Sequence, residues 1–168
     1  DLENWPRLVQ IAWIMSDLNG NKLESESQII RPDGFEIPNS SQSLHGISTE
    51  KAERDGIQIE NVLSLFKKKV DNSKFIVGHN IEFDVKVLSA EFLRCGIENN
   101  LTGKEKECTM KSSTQYLKIP GKHGYKYPSL EEMYSGLFDK TFEGAHDAQK
   151  DVEATAECFF ELKRVGVI

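Results

Sequence analysis

The chain is predicted to adopt an α/β fold, on three observations. Two strand-like stretches near the start are joined by the turn cluster Asp17-Leu18-Asn19-Gly20-Asn21. A short apolar run, Lys74 to Gly78, turns directly into an amphipathic helical stretch, which is the βα unit of α/β proteins. The chain then closes on a long stretch with apolar residues at helical spacing, opened by a helix-start signal at Asp147.

Leu8 to Met15 is apolar, β-branched and aromatic-rich, and predicts the first strand. Leu23 to Ile30 predicts the second, pairing with it as a hairpin that Arg31-Pro32-Asp33-Gly34 ends. A polar loop is expected from Pro38 to Leu44. His45-Gly46-Ile47 then leads into Ser48-Thr49-Glu50, a helix start, and Gly56 breaks that short helix. Ile59, Val62, Leu63, Phe66 and Val70 recur at helical spacing. Lys67-Lys68-Lys69 close this helix, where cations suit the dipole better than they argue for a nucleic-acid patch.

Lys74 to Gly78 reads as a buried strand, with His79-Asn80 turning out of it. Phe83, Val87, Leu88 and Phe92 mark the helix that follows, stopping at Gly96. This places Asp84 near the carboxyl end of a strand, where open α/β sheets put their sites. Residues 97–128 are less regular. Six lysines stand against two glutamates between Lys104 and Lys126, with Tyr116, Tyr125 and Tyr127 close by. Lysines with aromatics suit a single nucleic-acid strand; a solvated loop explains them equally well. Ser129-Leu130-Glu131-Glu132 is a capping box opening another helix, taken to end near Gly136. Ala148, Val152, Ala156, Phe159, Phe160 and Val165 give the last helix its expected apolar face.

The 168 residues suffice for one domain, 1–168, and no repeat, low-complexity tract or linker divides them. With 38% hydrophobic and 29% charged residues the chain is expected to be folded and soluble. A net charge of −6 argues against tight, non-specific duplex binding. It leaves a nuclease open, because bound divalent ions reverse the local charge. Cys95, Cys108 and Cys158 lack zinc or redox spacing and are read as reduced thiols of a cytoplasmic protein. No apolar run approaches the roughly 20 residues of a membrane span. One core accounts for the apolar faces, so a monomer is the default.

Two stretches carry the chemistry. One is His79-Asn80-Ile81-Glu82-Phe83-Asp84. The other is Gly144-Ala145-His146-Asp147-Ala148-Gln149-Lys150-Asp151. Inside one helix, His146 and Asp151 would lie about 140° apart. If Asp147 is the N-cap, His146 stays on the incoming loop and can swing towards Asp151. Alone, either stretch suits a surface loop before a capped helix. Together and in this order, the sequence resembles the DEDD superfamily of 3′–5′ exonucleases, in its His-containing branch with the proofreading epsilon subunit, ribonuclease T and oligoribonuclease. The resemblance runs over nearly the whole chain. Pro6 to Trp13 is similar to the family's second strand, His45-Gly46-Ile47 to its loop before the first helix, Val77 to Asp84 to its second motif and Gly144 to Thr155 to its third.

The resemblance implies a ribonuclease H-like fold, a mixed five-stranded sheet flanked by helices. It implies two divalent ions, Mg²⁺ or Mn²⁺, with Asp84 and Asp151 as metal-site carboxylates and His146 as the general base. Oxygen donors suit those ions, and two such ions stabilise both the attacking and the leaving oxygen of a phosphodiester. His45 and Asn80 are candidate substrate contacts. Phe83 is read as core in the first instance and as a substrate contact in the second. His79 and His123 are assigned no part in the chemistry. The implied partner is a single-stranded DNA or RNA 3′ end, with a DNA polymerase as a candidate protein partner.

One family feature has no counterpart. The first motif, a strand ending in Asp-x-Glu, should precede the Leu8–Met15 strand. Asp1-Leu2-Glu3 spells it without a leading apolar strand and is read as coincidence. The expectation is therefore a natural polypeptide extending very roughly 20 residues further upstream, enough for one strand and its loop. Three functions follow: a 3′–5′ exonuclease acting on DNA, or on RNA; a catalytically degenerate module that holds a nucleic-acid end or a protein; or an unrelated α/β domain.

Overall fold

In the computed structural model, residues 2–168 are described, the side chain of Glu3 aside. Leu2–Asn4 is a single 3₁₀ turn rather than a strand end, and Asp1 lies outside the described residues. Strand β1 (Gln10–Ser16) pairs antiparallel with β2 (Lys22–Ile29). Their turn is organised by Asp17, whose Oδ1 accepts the Asn19 and Asn21 N–H groups, each at 2.9 Å. After β2 come α1 (Asn39–His45), α2 (Thr49–Asp55) and α3 (Ile59–Asp71). Strand β3 (Phe75–Gly78) leads into α4 (Ile81–Arg94). Strand β4 (Glu105–Cys108) pairs parallel with β3 and runs into α5 (Thr109–Leu117). A small hairpin, β5 (Pro120–Gly121) and β6 (Gly124–Tyr125), precedes α6 (Leu130–Phe138) and α7 (Ala148–Arg164).

The alternation of β1 sorts its two faces. Ile11 and Trp13 are buried with Val62, Leu63 and Phe66 of α3 and Leu88 and Phe92 of α4. The other face looks at α7. Gln10 Oε1 accepts the Ala148 N–H at 3.2 Å, and Ser25, opposite Ile14, receives the Gln149 amide at 2.9 Å. Helix α7 also meets β3 through Phe75 and Phe159, whose rings lie 6.1 Å apart. It therefore spans both pairs of strands. Among the described residues the β1–β2 and β3–β4 ladders are separate, and β1 and β3 each pair on one side only.

Several expectations are corrected. The stretch 39–45 is helix α1 rather than loop, closed by local bonds such as Gln42 Nε2 to the Ile37 carbonyl at 2.7 Å. Residues 97–128 hold β4, α5 and the β5–β6 hairpin. Gly136 does not end a helix but sits inside α6, where a Cβ would come 2.7 Å from Leu117 of α5. The buried residues of α7 are Ala154, Thr155, Cys158, Phe159 and Leu162, a stripe displaced from the expected one. The helix is wedged between the strands and α6, where Met133 and Tyr134 pack on Ala154, Cys158 and Leu162. Burial pushes the Cys158 thiol up to about 12, so it packs rather than reacts. No helix among the described residues is long and apolar enough to cross a membrane.

Candidate active site

Both motifs fall at one end of α7. Phe75 at the start of β3 lies against Phe159, and just past the strand's other end His79 is 2.9 Å from the carbonyl of Pro128, three residues before Glu131, whose charge reaches Asp151. From Phe159 back to Asp151 is eight helical residues, about 12 Å. From Phe75 to Gly78 is three strand steps, about 10 Å. The start of α6 thus links the exit of β3 to the first turn of α7. Gln10, at the start of β1, is tied to the same helix end through Ala148.

The β3 exit is held by His79. Its Nε2 lies 2.9 Å from the Pro128 carbonyl and its Nδ1 3.1 Å from Thr109 Oγ1, joining the β3–α4 turn to the starts of α5 and α6. The ring is half-buried, and burial lowers its pKa, which favours the neutral form. His79 is thus a tie between three elements, which its position beside a strand end did not reveal. Asn80 follows with φ 63°, a left-handed turn that Asn tolerates, and its carbonyl accepts the Phe83 N–H at 2.9 Å. Phe83 is corrected from core to surface: it is 50% exposed on the first turn of α4. Asp84 comes next.

The Asp84 carboxyl faces solvent, yet enough protein surrounds it that desolvation pushes its pKa up to about 6. Its own backbone N–H pulls the other way, and no ion pair with another described residue compensates. On the α7 side, Asp147 is the N-cap, as expected, its side chain accepting the Lys150 N–H at 3.1 Å. His146 stays on the incoming loop with φ 73°. The link to Asp151 is made by backbone rather than by the ring: the His146 N–H donates to Asp151 Oδ1 at 3.2 Å. This leaves the exposed imidazole free to meet a substrate. Burial raises the Asp151 pKa; the His146 N–H and imidazole lower it, and Asp147 and Glu131 raise it further.

The structure therefore brings His146 and Asp151 into contact and sets Asp84 apart from them on α4. His45, at the end of α1, uses Nδ1 to accept the Ile47 N–H at 3.1 Å, and its burial lowers its pKa. His123 is exposed, as expected. Among the described residues no three His, Cys, Asp or Glu side chains form a cation cage. The donors present nonetheless fit Mg²⁺ or Mn²⁺ in kind. They are carboxylate oxygens made costly to ionise by burial, and Mg²⁺ is commonly held by one or two carboxylates with water and substrate phosphate.

The sequence profile described as exonuclease, of the ribonuclease T type, matches residues 3–159. The chain belongs to this exonuclease family. It is a member of the DEDD 3′–5′ exonuclease superfamily. A PolC-type DNA polymerase III of Pediococcus pentosaceus is 27% identical over 160 residues, 95% of this chain and 10% of that one. The fold is that of Escherichia coli exonuclease I, solved in complex with single-stranded DNA: TM-score 0.77 and 20% identity, covering 94% of this chain and 37% of that one. Exonuclease X, solved with 5′-overhanging duplex DNA, matches at TM-score 0.67 and 25% identity, covering 95% of this chain and 84% of that one. The exonuclease domain described here thus spans a tenth of the polymerase and about a third of exonuclease I.

Proposed function

We propose that the chain is a metal-dependent 3′–5′ exonuclease that releases nucleoside monophosphates from a single-stranded 3′ end, with DNA as the substrate. One observation carries this: burial raises the pKa of two carboxylates, Asp84 in the first turn of α4 and Asp151 in the first turn of α7, and an exposed imidazole stands beside the second. Family membership supports the chemistry. The DNA named in the neighbouring structures supports DNA over RNA. The match to a PolC-type polymerase supports a proofreading role and a polymerase as partner.

Asp84 and Asp151 would hold two divalent ions. When bound, such ions polarise the scissile phosphate and ease ionisation of the attacking water. His146 would take the proton from that water at whichever ring nitrogen faces it, a role an imidazole can fill. The Asp151–His146 N–H bond fixes the loop that carries the ring. Asn80 and Phe83, exposed beside Asp84, are candidate contacts for the terminal nucleotide, and His45 is a further one.

The test is hydrolysis of a 3′-labelled single strand by the full chain with Mn²⁺. His146→Ala is expected to slow monophosphate release by about 10²–10⁴-fold, and Asp151→Asn to abolish most of it. Parent protein with no metal-dependent release would leave the degenerate binding module as the function. Equal rates in parent and variants would sink the assigned site.

A further inference from the structure

Outside the carboxylate site, the β5–β6 hairpin is a run of exposed residues, Pro120 to Tyr127, in an otherwise well-packed chain. Tyr125 and Tyr127 are 48% and 59% exposed, and neither ring stacks on another. The Lys126 N–H donates to the Ile119 carbonyl at 3.0 Å, extending the ladder past Tyr125. Tyr125 ends β6 and Tyr127 follows two residues on, both rings exposed. Lys126 between them reaches back to Glu132 of α6 at 2.5 Å. Lys118 and Lys122, before and within the hairpin, are exposed and without an ion pair among the described residues.

The hairpin is fastened to the catalytic motif. Tyr127 precedes Pro128, whose carbonyl is 2.9 Å from His79 Nε2, one residue before Asn80. Lys111, close enough to Tyr127 to feel its phenol, pairs with Glu82 at 2.5 Å, and Glu82 neighbours Phe83 and Asp84. Exposed rings and ammonium groups therefore run from Tyr125 through Tyr127 and Lys111 to Phe83 and the site. Tyr116 is outside this line. It lies by Arg164, thirteen helical residues or about 20 Å from Asp151.

We propose that Tyr125 and Tyr127 form a stacking platform for the upstream nucleotides of a single strand whose 3′ end lies at Asp84 and Asp151. This rests on the nuclease function proposed above. Aromatic rings accept any base, and lysines meet the phosphates, so the platform is indifferent to sequence. A duplex keeps its bases paired and gives these rings nothing to stack on.

The test compares the full chain with the Tyr125→Ala/Tyr127→Ala double variant. In EDTA, where no hydrolysis occurs, binding of a fluorescent thymidylate dodecamer is expected to weaken by at least about tenfold, since each lost stack is worth roughly five- to 150-fold. The Tyr125→Phe/Tyr127→Phe variant should bind as the parent does. With Mn²⁺, KM for the dodecamer should rise by a similar factor at unchanged kcat, while a dinucleotide is cleaved equally well by both proteins. Unchanged dodecamer binding by the alanine variant would overturn the platform. So would an equal loss of blunt-duplex binding, or an equal loss of dinucleotide cleavage, which would mark a merely structural role. Dodecamer binding that is lost in the variant, with no hydrolysis by the parent, would keep the platform and remove the nuclease function.

Discussion

Asp84 is a group held against its own preference. Its ordinary carboxyl pKa is 3.8 and burial moves it to about 6 in the folded chain. Below 3.8 the group is neutral in both folded and unfolded states and costs nothing. As pH rises towards 6 the unfolded chain ionises first, so folding is penalised, and above 6 the penalty is complete. Asp84→Asn removes the charge. It is therefore expected to raise the thermal midpoint of the metal-free protein at about pH 8, with the gain fading as pH falls below about 4. Scanning calorimetry in EDTA at the two pH values checks this. A variant less stable than the parent at pH 8 would mean that the carboxylate is compensated by a partner. Such a stability cost would suit a carboxylate that binds a cation rather than one that closes a core.

Within α4, Glu91 shows how an element can hide its most consequential side chain. It is fully buried. Its Oε1 accepts from Arg7 Nε at 3.0 Å and from the Leu8 N–H at 2.8 Å, and Arg94 Nη1 lies 3.1 Å away. Arg94 in turn holds the Leu2 and Trp5 carbonyls. Glu91 thus pins residues 2–8 to α4 just before β1 begins. Glu91→Ala leaves two guanidinium groups without their acid, and a loss of about 3–5 kcal/mol is expected. Urea unfolding reads it, and a loss below about 1 kcal/mol would show the network to be a surface one. In the sequence Glu91 is one more charge on an amphipathic helix, because Arg7 and Leu8, which donate to it, lie more than eighty residues upstream. The same limit explains β4. Glu105-Lys106-Glu107-Cys108 has no strand pattern and becomes a strand only by pairing with β3. Helix α1, Asn39 to His45, carries no apolar period to announce it. The β1–β2 hairpin, the β3–α4 unit and the capped start of α7 were legible because their signals are local: alternation, an apolar run before a helix, and an Asp at the N-cap. At the candidate site, the place of His146 on the loop before Asp151 was legible from the N-cap at Asp147. The exposure of Phe83 and the tie made by His79 were not, since both depend on what α5 and α6 bring alongside.

Across the whole molecule, α7 acts as a strut. It meets β1 through Gln10 and β3 through Phe75, and the two ladders share no hydrogen bond of their own among the described residues. Asp84 belongs to the β3 side and Asp151 to the strut. A cation bound by both would add a second connection between them, and its binding energy would become folding energy. Mn²⁺ at about a hundred times its dissociation constant should then contribute about 2.7 kcal/mol, or roughly 5–10 °C in the unfolding midpoint of a chain this size. Asp84→Asn and Asp151→Asn should each remove most of that shift. The double variant should lose little more than either single one, because both carboxylates act on one bound state. Thermal scans of the four proteins with Mn²⁺ and with EDTA provide the cycle. Additive losses would mean two independent weak sites, one on α4 and one on α7. An undiminished shift in the double variant would place the cation elsewhere and leave these carboxylates without a ligand to share.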